Sequence, residues 1–273
     1  CPFRQKAPVT PKFLPQAFSR SRTYEARTNG LVLTAVILAG LASLGLLGNY
    51  TYFGVSEDTI SFAAEWPLVL GCGIIGGGLG ALFSLLALKI TRRIRRWHTQ
   101  QPLLRALLVP AVCGLAVAGI GIASGGLTFG TGYVQAWGAV EGVPLPWFFF
   151  AEKFLAGLLS MVSGIPGGIF APSLAVGAGI GSSLGLILGA STGAAALLGM
   201  AGYFAGVVQA PMTAFVIILE MTGNHDNVIA LMLASMLGYG TARMVSHEPL
   251  YHVLSRVFIA EAIRRRRAEA LPT

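Results

Sequence analysis

Apolar residues run in long blocks along this chain instead of alternating, and the polar residues gather between the blocks. Three early blocks, at about 31–49, 67–90 and 103–123, are each long enough to span a bilayer as a helix, which takes on the order of 20 apolar residues. Beyond Ser124 the pattern becomes irregular. The run Gly125-Gly126-Leu127-Thr128-Phe129-Gly130-Thr131-Gly132-Tyr133 is too polar and short to span, and predicts a re-entrant or interfacial loop. Pro144, Pro146 and the aromatic cluster Trp147-Phe148-Phe149-Phe150 open a helix with an interfacial belt. That helix carries Glu152 and Lys153 and ends at Ser163. Further helices are predicted at about 172–188, 194–207, 211–222, 227–245 and 249–263. Several are too short to cross a membrane upright, so the fold class is all-α: a polytopic membrane protein with short, tilted and broken helices.

Composition agrees. The chain is 54% hydrophobic and only 11% charged, against about 25% charged in a soluble domain. Its 36 glycines suit close helix approach, as in Gly73-Ile74-Ile75-Gly76-Gly77-Gly78-Leu79-Gly80, where small residues recur at four-residue spacing. Cys1, Cys72 and Cys113 show neither metal spacing nor a disulfide framework. Residues 1–30 contain no apolar core of a signal peptide.

The net charge of +8 sits beside the apolar blocks. Arg20, Arg22 and Arg27 precede the first; Lys89, Arg92, Arg93, Arg95 and Arg96 follow the second; Arg264 to Arg267 follow the last. Positive-inside bias accounts for this distribution and places those clusters in the cytoplasm, with Glu57, Asp58 and Glu65 outside. A nucleic-acid partner would need a folded basic face with base-reading groups, and the pattern offers none. An enzyme is disfavoured too, because no nucleophile–base pair or metal cluster stands out.

The most informative segment is Ser163-Gly164-Ile165-Pro166-Gly167-Gly168-Ile169-Phe170-Ala171-Pro172. It lies in a stretch, from Phe154 to Leu219, without a single Asp, Glu, Lys, Arg or His. Irregular backbone at membrane depth is tolerated only where protein or a wet cavity surrounds it. Gly167 and Gly168 let the following amides approach a ligand closely, and Pro172 fits the first turn of a new helix. The N-terminus of such a helix binds an anion without any cationic side chain. The same glycines also suit a kinked, tightly packed membrane helix with no ligand.

Other ionisable groups carry alternatives. Glu220 is either an intramembrane functional carboxylate or a helix-end residue beside Thr222-Gly223-Asn224. Lys153 either raises the local positive potential, pairs with Glu152 or snorkels to the interface. His225, His247 and His252 lack converging ligand spacing, and Asp226 is expected to cap the next helix.

Three segments resemble the CLC family of chloride channels and proton–chloride antiporters: Gly164-Ile165-Pro166-Gly167-Gly168-Ile169-Phe170-Ala171-Pro172-Ser173-Leu174, Gln209-Ala210-Pro211 through Leu219-Glu220-Met221-Thr222, and Glu248-Pro249-Leu250-Tyr251. They occur in the family's order and spacing. Tyr24-Glu25-Ala26-Arg27-Thr28-Asn29-Gly30 and the glycine-rich loop at 125–133 are similar to bacterial members. The resemblance implies a chloride held by main-chain N–H groups at Ile169 and Phe170 and by the Tyr251 hydroxyl. It implies chloride, and in antiporters protons, as the transported species, with no cofactor. It also implies a homodimer contacting through the first helix and those at 211–222 and 227–245, in the bacterial inner membrane, with the C-terminus cytoplasmic. Passive and proton-coupled passage both stay open.

The resemblance runs over about residues 19–258 and corresponds to the second of the family's two inverted halves. The family's Gly-x-Glu-Gly-Pro gate is not in this sequence. Ser163 precedes the second-half break and is not assigned as the family's filter serine. The expected organisation is a disordered stretch at 1–18, a membrane domain at 19–263 and a basic cytoplasmic tail at 264–273. A chain starting with Cys suggests a fragment, and a membrane fragment without a complete pathway is the alternative reading.

Overall fold

The computed structural model describes residues 14–48, 51–54, 58–60, 62–98, 102–165, 167–223, 226–246, 249–251 and 253–254. Contacts divide the chain into two units, Cys1–Tyr50 and Thr51–Thr273. The first holds α1 (Leu14–Leu47). This helix starts well before the expected residue 31 and includes residues 14–18, which were expected to be disordered. Pro15 takes a first-turn place where its missing N–H costs nothing, and Gln16, Ala17, Arg20, Glu25, Ala26 and Arg27 favour helix. Residues 1–13 lie outside the described ones.

The second unit contains α2 (Phe62–His98), α3 (Pro102–Ala123), α4 (Tyr133–Val140), α5 (Phe149–Val162), α6 (Phe170–Leu188), α7 (Thr192–Val208), α8 (Pro211–Thr222) and α9 (Val228–Val245). No strand occurs among the described residues. Among the described residues, four helical segments are long and apolar enough to cross a membrane: Gly30–Leu47, Glu65–Ile94, Phe170–Leu188 and Val228–Val245. Shorter apolar helices, Thr192–Val208 and Pro211–Thr222 among them, match the expectation of helices too short to span upright. The helix expected at 249–263 is described only at Leu250, Tyr251, Val253 and Leu254, all helical.

The core is built around α7. Every residue from Gly193 to Val207 is buried, and α7 packs against α2, α6 and α9. Lipid gives helices no hydrophobic reason to associate, so their contact depends on close backbone approach. Glycines supply it on both sides. A Cβ added at Gly80 would lie 2.6 Å from the Tyr203 carbonyl oxygen, and one at Gly206 would lie 2.7 Å from that of Gly77. On the α6 side, a Cβ at Gly177 would lie 2.6 Å from the Met200 Cα. Cys72 and Cys113 are buried and unbonded to each other, as packing residues are.

Two expectations need correction. Asp226 does not cap α9; the N-cap is Asn227. The Asn227 side chain is drawn away to a loop, donating to the Asp58 carbonyl at 2.7 Å and accepting from the Ile60 N–H at 2.8 Å. The aromatic cluster at 147–150 is also split. Trp147 and Phe148 are exposed, as belt residues would be, whereas Phe149 is fully buried in the core. Residue 149 starts α5, and successive helical positions point about 100° apart.

Candidate anion site at the start of helix α6

The chain leaves α5 at Ser163 and turns through Gly164, whose φ of 81° lies in the left-handed region that glycine enters at no steric cost. The Ser163 hydroxyl donates to the Ser160 carbonyl at 2.7 Å and accepts from the Ile165 N–H at 3.3 Å. These two bonds hold the end of α5 and the start of the break together. Gly167 and Gly168 follow, both exposed. A Cβ placed at Gly168 would meet nothing within 4 Å. The break is therefore open, unlike the packed glycines of α7.

Ile169 is the N-cap of α6 and Phe170 its first residue, with no side chain bonding the cap. The first turn closes through the Ser173 N–H to the Ile169 carbonyl at 3.0 Å, and the Ser173 hydroxyl donates to that same carbonyl at 2.7 Å. The N–H groups of Ile169, Phe170 and Ala171 come before that bond, so no carbonyl within α6 takes them. Pro172 stands within the first turn and brings no N–H of its own. The Phe170 ring packs edge-on against Phe204 of α7, with ring centroids 4.9 Å apart. That contact fixes the helix start against the buried core while Gly167 and Gly168 stay accessible.

Tyr251 is 45% exposed. Its neighbours Leu250 and Val253 are buried in an apolar cluster against which Ile169 and Leu254 also pack. The helical residues carrying Tyr251 and the start of α6 thus join one hydrophobic cluster. Gln209 ends α7 with φ 57°, and its Nε2 donates to the Ser246 carbonyl at 2.9 Å. Its position between α7 and the family-like Ala210-Pro211 was visible in the sequence, but its partner 37 residues later was not.

Lys153 takes neither the interfacial place nor the partner that the sequence offered for it. It neither snorkels nor pairs with Glu152: it is 2% exposed, and its Nζ donates to the carbonyls of Thr128 and Gly130, both at 2.8 Å. The glycine-rich loop is therefore held from within. Ser124 Oγ lies 3.0 Å from Thr128 Oγ1 and accepts from the Thr128 N–H at 3.3 Å. Gly132, with φ 81°, ends the loop at the start of α4, a helix the sequence did not suggest. Glu220 is exposed on the last turn of α8, next to the left-handed Gly223, the place of a helix-end residue. His225, His247 and His252 lie outside the described residues. Among the described residues no group of His, Cys, Asp and Glu has the arrangement to hold a metal ion.

Comparison with known proteins adds a second line. A family model described as voltage gated chloride channel matches residues 19–243. An H(+)/Cl(-) exchange transporter, ClcA, of Cronobacter sakazakii is 30% identical over 249 residues, covering 88% of this chain and 53% of its own length. ClcA of Yersinia pestis bv. Antiqua (strain Angola) is 32% identical over 197 residues, covering 68% and 41%. Among solved structures, a CLC-type fluoride/proton antiporter aligns with a TM-score of 0.62 at 21% identity, covering 72% of this chain and 49% of its own. A slow cyanobacterial Cl-/H+ antiporter aligns with a TM-score of 0.57 at 22% identity, covering 78% and 51%. Both structural likenesses speak to the fold. The chain spans about half the length of the curated relatives it matches.

Proposed function

The chain belongs to the voltage-gated chloride channel (CLC) family, and on that premise we propose that it carries the second-half anion site of a chloride-transporting membrane protein. Chloride is held by the main-chain N–H groups of Ile169 and Phe170 at the start of α6, with Tyr251 donating its hydroxyl. Gly167 and Gly168 open the approach, and Pro172 stiffens the first turn behind it. The observation that carries this reading is the uncapped start of α6, reached through an exposed glycine break inside a stretch without charged side chains. A dehydrated anion there meets partial positive charge from the helix end and no competing carboxylate. No cofactor and no enzymatic step enter this account.

The relatives' names supply the transported species: chloride, exchanged for protons. Pairing with a second copy through α8 and α9 is supported by their exposed apolar side chains, including Met212, Val216, Ile229 and Leu233, which face either lipid or a partner. The bacterial inner membrane is the proposed location, with residues 264–267 in the cytoplasm by the positive-inside rule. Two measurements on the purified polypeptide test the proposal. Calorimetry should detect saturable chloride binding, and its absence would refute the anion site. Vesicles containing this polypeptide alone should show no selective chloride flux, because the family's Gly-x-Glu-Gly-Pro gate is not among its 273 residues. Robust efflux would mean that these residues hold a complete pathway.

A further inference from the structure

Lys153 stands at the edge of the charge-free stretch: from Phe154 to Leu219 the sequence has no charged side chain of either sign. Burying an ammonium costs several kcal/mol unless something offsets it, and here the offset is two carbonyl dipoles. No carboxylate pairs with Lys153 among the described residues. Two carbonyls satisfy two of its three donors but supply no counter-charge to the ammonium. A loop needing only a tether would be served by a neutral donor without that cost.

The position of the charge matters as much as its survival. A Cβ added at Gly132 would lie 2.6 Å from the Ala175 Cβ, 2.9 Å from the Lys153 Cε and 3.4 Å from its Nζ. The ammonium therefore sits beside Ala175, five residues past Phe170, or about 8 Å along the axis of α6. We propose that Lys153 is an affinity-determining residue of the anion site: its buried, unneutralised charge attracts the anion at the start of α6 through space. This deepens the proposed function and rests on it. Across roughly 10–15 Å at an effective dielectric of about 20, one such charge alters anion affinity on the order of tenfold. Burial protects that attraction from salt.

The contrast between charge and hydrogen bonding tests it. Lys153→Gln keeps a donor for the loop carbonyls and loses the charge; Lys153→Arg keeps the charge. Chloride titration of the purified chain by calorimetry should show affinity about tenfold weaker in Lys153→Gln and within about twofold of the parent in Lys153→Arg. Limited proteolysis at 124–132 reads the tether separately and should be unchanged in both. Parent-like chloride affinity in Lys153→Gln overturns the proposal while leaving the anion site standing. An equal loss in Gln and Arg variants overturns it as well, since only the geometry of the lysine would then matter. Absence of saturable binding in the parent chain overturns both readings. Should Lys153→Gln fail to fold, Thr131→Glu against Thr131→Gln decides at an exposed loop position beside Gly130. The added carboxylate should weaken chloride binding two- to threefold, the smaller effect expected of an exposed charge. Equal affinities in that pair overturn the proposal.

Discussion

Gly168 and Gly202 are the same residue serving opposite physical ends. At Gly202, in the middle of α7, an added Cβ would run into the Cys72 carbonyl oxygen and lie 3.1 Å from the Gly73 Cα. At Gly168, before α6, it would meet nothing within 4 Å. The first glycine lets two helix backbones touch where lipid offers no hydrophobic drive. The second leaves main-chain N–H groups uncovered where the chain breaks. One region spends its glycines on packing and the other on access. Glycine content alone therefore says nothing about which part of a membrane protein binds its ligand.

Alanine at each position breaks the comparison most sharply. Gly202→Ala should cost about 1–3 kcal/mol or more of stability, because the neighbour it meets is backbone and cannot rotate away. Gly168→Ala should change stability by less than about 1 kcal/mol. Thermal denaturation of the two variants in detergent measures this difference, and equal losses would erase the distinction between packed and open glycines.

Gly168→Pro sharpens the comparison from the other side. It removes the Gly168 N–H and constrains the turn just ahead of Ile169, which displaces the N–H groups of Ile169 and Phe170, so chloride binding should fall roughly tenfold or more, on the scale of one charge-assisted hydrogen bond. The melting temperature should stay near that of the parent. Calorimetric titration of the folded variant is the check, and unchanged affinity would separate the break from the ligand.

Tyr251→Phe is expected to have the smallest effect. The half-exposed hydroxyl bonds water when no anion is held, so its net loss lies at or below the low end for a hydrogen bond to a charged group and affinity should weaken about two- to tenfold. With 45% of the residue exposed and its anchors Leu250 and Val253 left intact, folding should not change. A loss larger than that of Gly168→Pro would shift the main anion contact from backbone to side chain.

The apolar spans were legible in the sequence because their signal is local, whereas the polar extensions of α1 back to Leu14 and of α2 on to His98 were not. The apolar block at 103–123 predicted α3 to within a residue, and Pro211 and Thr222 bound α8 where expected. The break before α6 was equally readable, since glycine and proline act on their own backbone. What the sequence hid is held by contacts across the fold. Lys153 finds its partners at Thr128 and Gly130, more than twenty positions earlier, and both are main-chain carbonyls that no side-chain pattern marks. Asn227 takes the N-cap of α9 from Asp226 because the loop at Asp58 and Ile60 claims its amide. Helix α4 spans only eight residues, fewer than an isolated helix needs to hold together, and its buried Ala136, Ala139 and Val140 show that packing maintains it.

The claim that main-chain N–H groups hold the anion is tested most directly by removing one of them with every side chain left in place. Semisynthesis that replaces Phe170 with its α-hydroxy acid converts the 169–170 amide to an ester and keeps the phenyl ring against Phe204. Chloride titration of that protein should show affinity weakened roughly ten- to a hundredfold, the value of one hydrogen bond to a charged group. Chloride affinity equal to that of the all-amide chain would contradict a backbone anion site at the start of α6.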